Sequence, residues 1–178
     1  MLIENEMKNA KAGQPASISI KINNLTDEEM IGKLYKAASA GVKIRLIVRG
    51  MLSLVPGGNE KTDNIKAISI VDKFLEHSRF LIFCNGGDEQ VFITSADIMP
   101  RNLDRRIEVT CPVYDKSIRK EIMDIFEIQW SDCIKARIFD ESQSNSFVTK
   151  RVKPVRSQIE VHTYLSQLKE ASGTVTPG

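Results

Sequence analysis

The sequence predicts an α/β fold, a mixed β-sheet flanked by helices. Three stretches carry that reading: a strand-helix-strand unit between Ala16 and Val48, a β-hairpin between Arg79 and Thr94, and a helix with one apolar stripe between Asp115 and Cys133. Strand and helix alternate with short connections, which favours a right-handed parallel crossover, whereas the hairpin must add antiparallel strands.

Taken in order, Leu2 to Ala12 reads as a helix with Glu4, Glu6 and Lys8 exposed, ended by Gly13-Gln14-Pro15. Ala16 to Ile22 alternates as a strand. Thr26 reads as an N-cap with Glu29 completing a capping box, opening a helix that runs to Ala40 and stops at Gly41. Val42 to Val48 is a buried strand, and Arg49-Gly50 closes it at the carboxyl end, where open α/β sheets place ligands. Met51 to Asp63, with Pro56-Gly57-Gly58, is long and glycine-rich enough to be a mobile loop over a site. Asn64 to Val71 is a further extended segment. Arg79 to Asn85 and Gln90 to Thr94 flank Asn85-Gly86-Gly87-Asp88, whose glycines supply the positive φ of a hairpin turn. Arg105 to Val113 reads as a third strand. The helix from Asp115 buries Ile118, Ile122, Ile125, Phe126 and Ile128. A last helix begins at Pro154 and carries Val155, Ile159, Val161, Leu165 and Leu168. Residues 1–170 are expected to form one domain and 171–178 a disordered tail.

A hydrophobic share of 42% with 27% charged residues is globular composition, and a net charge of +2 implies neither nucleic acid nor a membrane surface. Cys84, Cys111 and Cys133 are odd in number and too widely spaced for zinc, so they read as reduced, mostly buried thiols of a cytoplasmic protein. No run approaches the ~18 apolar residues of a spanning helix. The basic run Lys150 to Arg156 reads as a solvated approach to the last helix that could touch a polyanion, and His162 as structural or solvent-facing.

Chemistry concentrates between Asp72 and Glu108. His77 and Arg79 precede or open the hairpin, Ser95 and Asp97 follow it, and Arg106 and Glu108 share one face of the next run. One hairpin and one strand thus gather an imidazole, guanidinium groups and carboxylates at one sheet end. Phosphoryl transfer uses these groups: an imidazole attacks phosphorus or protonates the leaving oxygen, arginines fork onto phosphate oxygens, and a carboxylate fixes the imidazole tautomer. His77 and Glu108 are the candidate catalytic residues, with Glu108 favoured over Asp97 as the orienting carboxylate. Arg49, Arg79, Arg106, Ser95 and Asp97 are the candidate phosphate contacts.

Gly41 to Gly57, Asp63 to Val109 and Ile134 to Asp140 closely resemble the C-terminal catalytic domain of bacterial polyphosphate kinases, and the likeness extends from Leu2 to Leu168. It implies the second half of a phospholipase D-like fold and ATP-dependent, reversible synthesis of inorganic polyphosphate with magnesium, whose ligands lie mainly outside this chain. No residue here is assigned to metal. His77 falls on the family's EH-x-R histidine, opposed by a phosphorylated histidine of the preceding domain, and Arg49 on the VRG arginine that contacts phosphate or nucleotide. The usual phospholipase D His-x-Lys and Ser-x-Asn are here His77-Ser78-Arg79 and Ser95-Ala96-Asp97, which weakens a reading as an ordinary phosphodiesterase. The resemblance further implies ATP, ADP and polyphosphate as partners, upstream domains of a longer enzyme of which this is the C-terminal part, a homo-oligomer, no nucleic acid and at most peripheral membrane association. Two other readings stand beside it: a phospholipase D-like half-site completed across a dimer, and a non-enzymatic polyanion-binding module.

Overall fold

The central strand β1 (Ser17–Ile22) owes its place to three isoleucines on one side and Ser19 and Lys21 on the other, all buried, so it has apolar or polar partners on both faces. The computed structural model describes residues 2–59, 62–149 and 153–171, the last without its side chain. Around β1 are α1 (Leu2–Lys11), α2 (Glu28–Ser39), β2 (Lys43–Val48), β3 (Ile65–Ile70), β4 (Phe80–Phe83), β5 (Gln90–Thr94), α3 (Pro100–Arg105), β6 (Thr110–Val113), α4 (Lys116–Trp130), β7 (Ala136–Phe139) and α5 (Ser157–Ala171). The strands form one seven-stranded mixed sheet in the order β6-β5-β4-β1-β2-β3-β7. β1, β2 and β3 run parallel; β4, β5, β6 and β7 pair antiparallel to their neighbours.

Ile18, Ile20 and Ile22 pack with Ile44, Leu46 and Val48 of β2 against Ile3 of α1 and Leu34, Ala37 and Ala38 of α2. On the opposite face Ile47, Ile68, Phe80, Ile82 and Val91 pack against Phe126 of α4, with Ile122, Met123 and Trp130 at the margin. The Arg45 guanidinium lies 4.9 Å from the centre of the Phe126 ring while donating to Ser19 and Glu127, so a charged strand residue is accommodated between sheet and helix. Burying these two apolar layers is the main driving force for the architecture.

Several local expectations are corrected. Glu6 is buried rather than exposed, because its carboxylate accepts the N–H of Ser17 at 3.0 Å and of Asn85 at 2.5 Å; burial pushes its pKa up against these donors. Asp27, not Thr26, caps α2: the Thr26 N–H is taken by the Ile98 carbonyl, which keeps the chain extended for one more residue, and Glu29 pairs with Lys33. The stretch from Arg105 is not a strand until Thr110: Pro100 opens a short helix that runs to Arg105, and the β5–β6 ladder ends at the Thr94–Thr110 pair. Of the segment expected as a loop over the site, Leu54 to Pro56 lies against α2 instead, and residues 60 and 61 lie outside the described residues. Leu54 and Pro56 are buried there, and the Val55 N–H donates to the Tyr35 hydroxyl at 2.9 Å.

Ile118 of α4 is exposed, and Gln129 takes a buried position on the helix. Helix α5 starts at Ser157, since Val155 is held extended by Cys133 and the Ser157 N–H is capped by Asp132. Cys111 is exposed because β6 is an edge strand; Cys84 and Cys133 are half-buried, and none of them forms a disulfide. The expectations for residues 150–152 and for the tail from 172 lie outside the described residues.

Asp132 joins the last elements. One carboxylate oxygen accepts the N–H groups of Ile134, Lys135 and Ala136 at 2.9, 2.7 and 3.0 Å, and the other accepts Ser157 N–H at 2.7 Å. Burial pushes its pKa up, but these donors prevail and hold it below its ordinary value. Replacing Asp132 by Ala leaves buried backbone donors bare. Urea unfolding of the variant at neutral pH should therefore show a loss of about 3 kcal/mol, the upper part of the range for buried unsatisfied groups; an unchanged midpoint would remove Asp132 from this role.

Candidate active site

The carboxyl ends of β1, β2 and β3, the start of β4, the end of β5 and the start of β6 all lie at one edge of the sheet, as their registers require. That edge gathers the sequence-predicted residues. Arg49 leaves β2 half-buried, with Nε donating to Asn23 Oδ1 at 3.0 Å and its terminal nitrogens making no hydrogen bond among the described residues. Gly50 lets this turn close without crowding: a Cβ there would stand 2.7 Å from Asn24 Oδ1 and 3.0 Å from the Asn23 carbonyl, so a side chain would force these groups to shift.

His77 is exposed just before β4, which begins only at Phe80. Its Nε2 faces Arg79 Nη2 at 3.1 Å. Arg79 in turn pairs with Asp97, Nε to Oδ1 at 2.8 Å. Asp97 is 4% exposed and lies beneath the surface of the site, its oxygens accepting the N–H groups of Asn23 (2.9 Å) and Asn24 (3.2 Å) and the Asn24 side-chain amide (3.0 Å). Burial alone would push Asp97 up; Arg79 and these amides overcome it and hold the pKa down to about 2.

The Ser95 hydroxyl donates to Glu108 Oε2 and accepts the Val109 N–H at 3.0 Å, while the Asn102 amide donates to Glu108 Oε1 at 2.6 Å. Both carboxylate oxygens of Glu108 are thus engaged, and no hydrogen bond joins it to His77; the direct contact expected from the sequence is not formed because Ser95 and Asn102 stand nearer. Ser95 and Asn102, followed by the fields of Arg106 and Arg79, hold Glu108 below its ordinary pKa. Arg106 is exposed and makes no hydrogen bond among the described residues.

Sequence reasoning missed a second tier. Lys21 is buried on β1 and donates to the Ser78 hydroxyl at 2.9 Å and carbonyl at 3.3 Å, with Glu76 at 3.3 Å. Burial pushes its ammonium below the ordinary value; Glu76 opposes this, while Arg49 and Arg79 reinforce it. Glu76 also accepts from Gln129 of α4 and Gln158 of α5, so the segment before His77 is tied to both helices. A lysine in an otherwise uncharged strand was the one available signal. Among the described residues no group of three or more His, Cys, Asp or Glu is placed to hold a metal, and no helix is long and apolar enough to cross a membrane.

The fold is phospholipase D-like. A phospholipase D family member, Nuc from Salmonella typhimurium, superposes with a TM-score of 0.55 over 76% of this chain and 89% of that one, at 12% identity, a likeness of fold alone. Residues 1–158 match the family described as Polyphosphate kinase C-terminal domain 2, and the chain belongs to that family. It is 52% identical over 170 residues to a polyphosphate kinase of Vibrio vulnificus, covering 95% of this chain and 24% of that protein. A crystal structure of polyphosphate kinase from Porphyromonas gingivalis matches 96% of the chain with a TM-score of 0.92 and 47% identity, over 26% of its own length. The chain therefore spans about a quarter of the relatives it matches.

Asp97 gives a test of this geometry by acid. Its depressed pKa means that its contribution to stability is fully present above the ordinary 3.8 and is lost as pH falls through about 2. The difference corresponds to about 2 kcal/mol. Asp97→Asn should lower unfolding free energy by that order at pH 7, and the gap to wild type should close between pH 4 and 2; a gap independent of pH would contradict the pairing.

Proposed function

We propose that this chain is the part of a polyphosphate kinase that brings one histidine and a phosphate-binding edge to the ATP-dependent, reversible elongation of inorganic polyphosphate. The observation that carries this is an exposed imidazole set among guanidinium groups, with Arg106 and the terminal nitrogens of Arg49 uncommitted. Such an edge attracts phosphate oxygens, and the forked donors of arginine match them.

In this reading Arg49 and Arg106 bind phosphate of nucleotide or polyphosphate, with Ser95 at the rim. His77 delivers a proton to, or takes one from, the oxygen that bridges donor and acceptor. Arg79 adds positive charge beside the ring, Asp97 supports Arg79 from below, and Glu108 fixes the Ser95 side of the edge. A phosphohistidine route needs a second imidazole opposite His77. His162 is exposed on α5 and makes no hydrogen bond with the His77 cluster, so that group comes from upstream domains of the same enzyme, working as a homo-oligomer in the cytoplasm. Residues 1–170 act as one catalytic unit that engages no nucleic acid and touches membranes at most peripherally.

Magnesium, implied by the family, does not fit the donor set described here. The oxygens of Asp97 accept from Arg79 and the two asparagines, and those of Glu108 from Ser95 and Asn102, which leaves no free carboxylate pair at the edge.

In the complete enzyme His77→Ala should abolish polyphosphate synthesis, and Arg49→Ala should cost about 1.5–3 kcal/mol in kcat/KM, the worth of a hydrogen bond to a charged group. The 178-residue chain alone, given radiolabelled ATP, should acquire no acid-labile phosphate. Full synthesis by the His77→Ala enzyme would refute the assignment.

A further inference from the structure

Arg79 commits nearly all of its guanidinium to its neighbours. Nε donates to Asp97 Oδ1 at 2.8 Å, Nη1 donates to the His77 carbonyl at 3.3 Å, and Nη2 reaches both Asp97 Oδ2 at 3.5 Å and the His77 ring at Nε2, 3.1 Å away. A guanidinium has donors only and keeps its charge throughout the range in which proteins fold. The ring nitrogen facing it must therefore accept, and a neutral imidazole that accepts at Nε2 carries its proton on Nδ1.

Two features make this more than a surface encounter. The Arg79 side chain is only 12% exposed, so it cannot swing freely into water. Its partner Asp97 is itself pinned by two backbone N–H groups and the Asn24 amide at the end of β1. An imidazole in water favours the opposite form, with the proton on Nε2.

We propose that Asp97 is a positioning residue which, acting through Arg79, holds neutral His77 with its proton on Nδ1 and its Nε2 lone pair directed at the guanidinium. This rests on the reading of His77 as the acid–base group and adds which nitrogen holds the proton. In this state the ring offers a donor at Nδ1, while Nε2 cannot attack phosphorus until Arg79 releases it. His77 is thereby set up as a hydrogen-bond donor at Nδ1 rather than a nucleophile, and it can take up and pass on a proton at Nε2 only once Arg79 has released that nitrogen.

The chain has two histidines, and exposed His162 on α5 serves as an internal reference. Long-range proton–nitrogen correlation spectra of the 15N-labelled chain, taken at about pH 8, above the ordinary imidazole range, report the tautomer of each. His77 should show a protonated Nδ1 and a bare Nε2, and His162 the reverse majority. A wild-type His77 protonated mainly on Nε2 overturns the proposal.

In Asp97→Asn, with folding checked by dispersion of the backbone amide signals, His77 should revert to the Nε2–H majority; persistence of the Nδ1–H form overturns the role of Asp97. Should that variant not fold, Arg79→Lys removes the fork, and the same reversion is expected; persistence there overturns the role of Arg79, and with it the proposal. These spectra read the chain alone. An ordinary tautomer together with loss of synthesis in the His77→Ala enzyme would sink this inference and leave the function standing, whereas the Nδ1–H form with a fully active His77→Ala enzyme would sink only the function.

Discussion

A carboxylate taken out of water must be met by donors, and among the described residues the buried acids Asp97, Glu6 and Asp132 are met by donors that include segments far apart in sequence. Asp97 binds Asn23, Asn24 and Arg79; Glu6 binds Ser17 and Asn85; Asp132 binds the start of β7 and the start of α5. Each acid thereby fixes the relative position of elements that the hydrophobic layers alone would only hold in contact. The Asp97 cluster matters most, because it sets where β1 ends, where the hairpin turns away and where the His77 segment begins.

The two apolar layers and the polar edge divide the work. Packing of the isoleucine-rich strands between α1, α2 and α4 supplies stability and leaves the strand ends free of apolar cover. Those ends then collect charges of both signs: Lys21, Arg49, Arg79 and Arg106 against Glu76, Asp97 and Glu108. Lys21 and Arg79 are already answered by carboxylates, whereas among the described residues exposed Arg106 and the terminal nitrogens of half-buried Arg49 are not. Glu76 links this edge to α4 and α5 through Gln129 and Gln158, which makes the position of the imidazole depend on helices on the opposite side of the sheet from α1 and α2.

Departure from the phospholipase D pattern acquires a physical meaning in this arrangement. Arginine in place of lysine after the histidine brings a fork long enough to hold Asp97 and the ring together, and aspartate in place of asparagine supplies the charge that fixes the fork. The two substitutions are complementary: a buried guanidinium without the carboxylate, or the carboxylate without the guanidinium, would leave a charge out of water without its partner.

The sequence by itself determined the crossover from Ala16 to Val48, the hairpin and its Asn85-Gly86-Gly87 turn and the helix around Phe126, and it drew attention to the stretch in which His77, Arg79 and Asp97 meet, because periodicity, turn chemistry and local spacing are properties of neighbouring residues. The conspicuous Val48-Arg49-Gly50 step marked the sheet end at which the charged side chains gather for the same reason. Only the tertiary structure decided that Glu6 is inside, that Asp27 rather than Thr26 caps α2, that Glu108 answers Ser95 and Asn102 instead of His77, and that Lys21 and Glu76 belong to the site. Each of these depends on partners tens of residues away or on competition between nearby donors. Such contacts leave no local pattern, since a carboxylate or an ammonium carries the same sequence signature whether water or a distant strand answers it.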